Sequence, residues 1–463
     1  MKKKILSIIS IISMLLIWQV IACIVGNQQI VPPITDLIKT LISIPGNSDF
    51  LLSIAYTCLR MAAGLVSALV LAIIISCLMA KMEWIRIIMN PWIVTMRSVP
   101  VISFILLALI FLNSESIPLF ISFLTMFPLL TENLYQGIKH IRPEYKTMGR
   151  VFHLSQTNYI AHIIYPQIQP YLFSGISSAA GFGWRAIIMG EVIAQCTNGI
   201  GGKMKEAQLF INTSELIAWT IIAIFLSWLT DKGVKTLSVW KPEIKFIKGT
   251  ISAINIPDFQ LRNEIRLNNV SYYFGPDNIS FSLVKGHTYM LSAPSGAGKT
   301  TCLKLIDGTF KPTKGSIERI PEYVSSVFQE QEILTHLTAK DNITLPLSSF
   351  YCKNKAMEIA DKFLKAMEIE ELAGRYPSEL SYGQLQRVSL ARALAYPAPL
   401  LLMDEPFRGL NKELLQRIIV IIKNLQNERG QTILFSSHNE EEADLMKAKI
   451  VIIRGQENEG TRS

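Results

Sequence analysis

The chain has 463 residues, half of them hydrophobic and 17% charged, with a formal net charge of +9. Soluble domains carry about 25% charged residues, so this composition excludes a disordered, collagen-like or disulfide-scaffold chain and argues against a purely soluble one. The deficit is local. Residues 1–240 hold 17 Lys+Arg and 10 Asp+Glu, whereas residues 241–463 hold 28 and 26. The first half therefore reads as membrane-embedded and the second as an ordinary soluble domain. No basic patch with interleaved aromatics marks a nucleic-acid surface, so no nucleic-acid partner is expected.

Six apolar stretches approach the ~20 residues that a helix needs to cross a bilayer. They are 5–25, 54–79, 87–112, 116–137, 166–195 and 214–238. Pro91 and Pro100 interrupt the third. Gly175, Gly181, Gly183 and Gly190 dilute the fifth, and small residues of this kind let helices approach closely in lipid. With the N-terminus inside, the inner segments carry Lys2, Lys3, Lys4, Lys81, Arg86, Lys139, Arg142, Lys146, Arg150, Lys232, Lys235, Lys241, Lys245 and Lys248. The outer loops carry only Lys39, Lys203 and Lys205. This bias obeys the positive-inside rule. It predicts a multi-pass protein of the cytoplasmic (inner or plasma) membrane, with the N-terminus and the soluble half cytoplasmic.

Arg60, Arg97, Glu132, Arg185 and Glu191 lie inside or at the ends of these stretches. Intramembrane charge is costly and seeks a partner or a cavity. Two readings stay open: structural pairing or snorkelling at helix ends, and a polar path in which Arg97 and Arg185 favour an anionic solute. The inner loop 138–165 spaces Tyr145, Met148, Phe152 and Tyr159 so as to give one apolar helix face. That face suits either the lipid interface or docking of the soluble half.

Residues 241–261 lose span-like hydrophobicity, contain Pro242 and Pro257, and read as a linker. Strands are expected at 265–274 and 279–284. The sequence APSGAGKT at 293–300 then stands between an apolar run and a helical stretch, the context of a phosphate-binding loop. Its glycines let backbone N–H groups converge on phosphate oxygens at a helix N-terminus. Lys299 is expected to reach the β- and γ-phosphates, and Thr300 to ligate Mg²⁺. Ala293 stands at the first position, where the pattern has Gly. LLLMDE at 400–405 is an apolar strand ending in two carboxylates, with Asp404 expected to hold Mg²⁺ and Glu405 to polarise the attacking water. LSYGQ at 380–384 precedes a helical run. Gln329 and His438 each follow an apolar strand. The six cysteines show no metal-ligand spacing.

Together these motifs resemble the ATP-binding cassette (ABC) proteins, over essentially the whole chain. The resemblance implies a multidomain protein: an all-α, six-span transmembrane permease followed by an α/β P-loop ABC ATPase domain. The implied boundaries are 1–240 for the permease, with a coupling loop at about 138–165, then 241–261 for the linker and 262–463 for the cassette. It implies ATP and Mg²⁺ as cofactors. Contacts to the nucleotide are implied for Phe274, Ser295, Gly296, Ala297, Gly298, Lys299, Thr300 and Thr301, and for the signature residues Ser381, Gly383 and Gln384. Glu405, His438 and Gln329 are implied as catalytic, and Thr300, Gln329 and Asp404 as metal ligands.

The membrane half is similar to permeases of nitrate/sulfonate/taurine-type importers. Thr147-Met148-Gly149 stands at their EAA position, His153 at the following Gly, and Ile163-Ile164-Tyr165-Pro166 at the motif's end. The resemblance implies a half-transporter that moves a small, possibly anionic, solute such as a nitrate-, sulfonate- or taurine-like compound or a vitamin precursor. The implied partners are a second copy or a similar fused chain, an extracytoplasmic substrate-binding protein, and the lipid bilayer. An ABC exporter, or a membrane ATPase acting as sensor or force transmitter, are the alternatives. Tyr382 in place of the first signature Gly, and Asn411 in place of the usual Asp, are further departures from the family pattern.

Overall fold

In a computed structural model, residues 2–246, 263–273, 276–294, 296–328, 330 and 332–453 are described. Contacts divide them into two compact units. One comprises Met1–His140 with Gln167–Lys241, the other Ile141–Pro166 with Pro242–Ser463.

The first unit is helical. Among the described residues, Phe50–Lys81, Ile117–Lys139 and Thr213–Leu237 are each long and apolar enough to cross a membrane. The expected third span is not continuous. It breaks into Glu83–Ser98 and Val101–Phe111, which meet at 98°. The cause is Pro100, which supplies no N–H and biases Val99 to an extended backbone, as observed. The first and fifth stretches correspond to Lys2–Val25 and Tyr165–Ile193. Two further helices, Ile34–Ser43 and Ile200–Leu209, lie between the spans.

Buried positions Thr57, Arg60, Met61, Gly64, Ala68 and Ala72 recur along Phe50–Lys81 at helical spacing. This face packs with Met126, Phe127, Leu130, Ala179 and Trp184 into one core. Arg60 and Glu191 are paired inside it: Arg60 donates to Glu191 at 2.6 Å and also contacts Glu115. Thr57 Oγ1 and the Gly201 N–H donate to the same Glu191 carboxylate. Of the ionisable residues noted above, Arg60 and Glu191 thus form a structural pair, whereas Arg97 and Arg185 are exposed on the unit.

The second unit holds two sheets. A three-stranded antiparallel sheet orders β2 (Ile279–Leu283), β1 (Ile265–Ser271) and β4 (Lys314–Glu318). A five-stranded parallel sheet has the order β5-β6-β7-β3-β8, from β3 (Thr288–Ser292), β5 (Val324–Val327), β6 (Leu400–Asp404), β7 (Thr432–Ser436) and β8 (Lys449–Ile452). Every residue of β5, β6 and β7 is buried, which explains their unbroken apolar or small-residue runs. Because the sheet is parallel, the carboxyl ends of its strands share one edge, where ligands bind in open α/β folds.

Residues 141–166 pack on this unit. They form a helix at Pro143–Val151 and a π-helical turn at Tyr159–Ile164. Met148, Val151, Phe152 and Ile163 are buried in one cluster with Phe328, Leu337, Phe350 and Tyr396. Gly149 cannot carry a side chain, since a Cβ there would stand 2.7 Å from the Tyr159 ring. His153 adopts φ +45 at the position where the permease motif has Gly. Its carbonyl accepts from Ser349 Oγ, and its ring lies 5.0 Å from that of Tyr323, the planes tilted by 52°. Asn158 exchanges hydrogen bonds with the Lys245 backbone and donates to Ser348 Oγ. Residues 241–246 have no regular structure, and the rest of the expected linker, 247–261, lies outside the described residues.

Candidate nucleotide site

The site is built on the carboxyl edge of the parallel sheet. β3 runs into the loop 293–298, and the helix Lys299–Ile306 starts where the loop ends. Gly296 and Gly298 have φ +82 and +95, a backbone that a Cβ opposes. Ala293 is not among the positive-φ residues. Alanine is tolerated at the first position because the turn there demands no left-handed backbone. The Lys299 side chain is buried, donates to the Ala293 carbonyl at 2.8 Å, and stands 3.2 Å from His438 Nε2. Burial lowers the Lys299 pKa, while Glu405 and Asp404 pull it back up.

β6 and β7 are paired in register, Asp404 opposite Ser436. Ser436 Oγ donates to Asp404 Oδ1 at 2.5 Å and accepts from the Glu405 N–H at 3.1 Å. This fixes the Asp404 carboxylate and the Glu405 backbone at the strand end. Asp404 Oδ2 is buried without a hydrogen-bond partner among the described residues. Glu405 adopts φ +44, a strained backbone of the kind found at functional sites. Its Oε1 lies 3.2 Å from His438 Nε2 and its Oε2 3.6 Å from Arg408. The structure thus brings Lys299, Glu405 and His438 together beside Asp404.

A cavity of about 170 Å³ opens beside this cluster, lined by Thr300, Asp404, Ser326, Glu144 and Glu332 among others. Burial pushes the Glu332 carboxyl up to about 8 and that of Asp307, on the same wall, to about 6. The oxygens of Thr300 and Asp404 are hard donors that line one cavity, and Asp404 Oδ2 has no hydrogen-bond partner among the described residues. That set fits Mg²⁺. Ala297 is buried, and Thr301 is half-buried on the same helix.

Ser381, Gly383 and Gln384 stand apart. Ser381 caps the helix Tyr382–Ala395: its Oγ accepts from the Gln384 N–H, and Gln384 Oε1 accepts from the Ser381 N–H at 2.8 Å. This capping box shares no hydrogen bond with Lys299, Glu405 or His438 among the described residues. The Tyr382 ring is half exposed and lies close to Gly409. Asn411 Oδ1 accepts from the Leu414 N–H, capping Lys412–Arg429. Asn caps a helix as well as Asp does, which accounts for that departure. Phe274, Ser295 and Gln329 lie outside the described residues.

Sequence reasoning missed Ser436, although it stands two residues before His438 at the end of the same apolar strand. It also missed Glu144, whose signal was its place in the 138–165 loop.

The family model described as "ABC transporter" matches residues 276–408. The model described as "Binding-protein-dependent transport system inner membrane component" matches residues 68–231. The chain is 37% identical over 206 residues to the spermidine/putrescine import ATP-binding protein PotA of Lawsonia intracellularis, covering 41% of this chain and 55% of that protein. It is 35% identical over 195 residues to the thiamine import ATP-binding protein ThiQ of Salmonella choleraesuis, covering 39% of this chain and 82% of that protein. The chain thus spans little more than half the length of PotA. A solved dimeric ATP-binding cassette bound to ADP and Pi shares 28% identity over 41% of this chain and 94% of its own, at a TM-score of 0.38.

Proposed function

We propose that this chain, which belongs to the ABC transporter family, is an ATP-hydrolysing half-importer that carries its own permease. One observation carries the reading. A single chain holds an inner-membrane-component segment at 68–231 and, packed as one unit with residues 141–166, a cassette whose sheet edge gathers Lys299, Asp404, Glu405 and His438.

In this reading Lys299 and the loop 295–298 hold the phosphates of ATP. Thr300, Asp404 and Gln329 would hold Mg²⁺, which when bound neutralises phosphate charge. Glu405 orients the attacking water, and His438, hydrogen-bonded to Glu405 and adjoining Lys299, stabilises the charge that develops on the γ-phosphate. The work is positioning and preorganised charge. Phe274 stacks on the adenine. Ser381, Gly383 and Gln384, whose capping box shares no hydrogen bond with the cluster among the described residues, contact the nucleotide of a second cassette. That requires a dimer, either of two copies or with a similar fused chain.

An external binding protein delivers a small solute to the membrane unit, and residues 141–166 transmit the nucleotide cycle. Arg185 lines an open cavity with Trp184, Trp228 and Asp231, which suits a solute bearing an anionic group. The chain sits in the cytoplasmic membrane with the cassette inside. The test is ATP hydrolysis by the purified chain in lipid vesicles, with and without solute-loaded candidate binding proteins. Stimulation by one loaded binding protein supports the reading and names the solute; hydrolysis indifferent to all of them counts against it.

A further inference from the structure

A buried guanidinium not used by the nucleotide chemistry joins three parts of the cassette unit. Arg392 lies in the third turn of the helix Tyr382–Ala395 and is 1% exposed. Its Nη1 donates to the Glu332 carbonyl at 2.9 Å. Its Cζ stands 5.3 Å from the centroid of the Phe152 ring. Phe152 is itself fully buried and meets Phe328 and Tyr396 edge to face, at 6.4 and 5.0 Å. Tyr145, on the same docked segment as Phe152, donates to the Ile333 carbonyl.

The described residues on either side of position 329 are therefore both held. Phe328 before it touches Phe152, and Glu332 and Ile333 after it are held by Arg392 and Tyr145. Glu332 has φ +41, a left-handed backbone that is uncommon outside glycine, at the residue whose carbonyl accepts from Arg392. Burying a guanidinium is costly, and a well-packed apolar residue of similar volume often serves stability as well or better. Burial at this point calls for something an apolar residue cannot do. A guanidinium can present a flat face to a ring while donating in its own plane, which a lysine ammonium cannot.

We propose that Arg392 is a positioning residue that couples the helix bearing the signature turn to the docked segment through Phe152. It works in parallel with the glutamine loop. Ser381 and Arg392 stand at the cap and in the body of one helix, about 16 Å apart at 1.5 Å per residue. A shift of the signature turn therefore reaches Phe152 without passing through Gln329. The inference rests on the nucleotide-driven cycle proposed above.

The test is hydrogen–deuterium exchange on the full chain in lipid nanodiscs, in a Glu405→Gln background, with and without MgATP. In that background MgATP is expected to change exchange in the cassette, in 141–166 and in 194–212 of the membrane unit. Adding Arg392→Met or Arg392→Lys is expected to keep the cassette response and lose the response at 194–212. A merely structural, charge-supplying role would be rescued by Lys. Phe152→Leu leaves Arg392 in place and is expected to give the same loss; it decides the matter if Arg392→Met does not fold. A response at 194–212 undiminished in the folded variants overturns the coupling role alone. No cassette response to MgATP in the background variant overturns the nucleotide reading and this inference with it.

Discussion

Glu405 and His438 face each other at 3.2 Å across the ends of two strands that are neighbours in the parallel sheet. Ser436 sets this pair by bonding both the Asp404 carboxylate and the Glu405 N–H. The proposed chemistry therefore depends on Glu405 as a carboxylate. Glu405→Gln should lower ATP turnover by about 10²-fold or more, the range of a positioned base, while nucleotide affinity stays within a few-fold. Equilibrium binding of a fluorescent ATP analogue and phosphate release measure the two effects separately.

Ala293 and Gly298 differ in what their backbones demand. Gly298→Ala places a Cβ at φ +95 and should abolish nucleotide-induced thermal stabilisation. Ala293→Gly restores the usual motif, yet should leave ATPase activity unchanged. It should also cost about 0.5–1 kcal/mol of stability through the looser unfolded chain. Melting curves with and without MgATP check both.

The docked segment should be sensitive to acid. His162 is buried and stacks on His336 at 5.9 Å, with planes 7° apart. Burial lowers the His162 pKa, more than Asp341 and the Glu243 backbone raise it. The folded state thus binds fewer protons than the unfolded one just below the ordinary histidine range. Stability is complete above about pH 6.5 and falls as pH drops from there toward the lowered pKa. Melting of the wild type from pH 7.5 to 5.5 should show that loss, and His162→Phe should flatten it.

The Arg60–Glu191 pair should dominate the stability of the membrane unit. Removing one partner of a buried pair costs about 3–5 kcal/mol. Glu191→Ala also leaves the Gly201 N–H without its acceptor and removes one of the Thr57 hydroxyl's hydrogen bonds. Glu191→Gln keeps acceptors for those donors and should cost less. Denaturation in detergent, followed by tryptophan fluorescence, ranks the three proteins.

The motifs of the sheet edge were legible because each is a short contiguous run whose chemistry depends on local spacing. APSGAGKT and LLLMDE identify a strand, a turn and the groups at its end without reference to distant residues. What joins those runs was not legible. Ser436 acts across strands, Arg60 and Glu191 are separated by 131 positions, and Arg392 works through Phe152 from the other half of the chain. Pro100 signalled a disturbance in the third span, but its 98° bend depends on how the flanking helices pack. The apolar face of 138–165 was compatible by sequence with the lipid interface and with docking of the soluble half. Burial of Phe152 and Met148 against Phe328 and Tyr396 separates them.

The most direct measurement is the direction of solute flux. Proteoliposomes with MgATP trapped in the lumen are given a solute-loaded binding protein outside, and labelled solute is followed. The account predicts accumulation inside, abolished by Glu405→Gln. Solute export, or hydrolysis with no flux across a panel of loaded binding proteins, would contradict it.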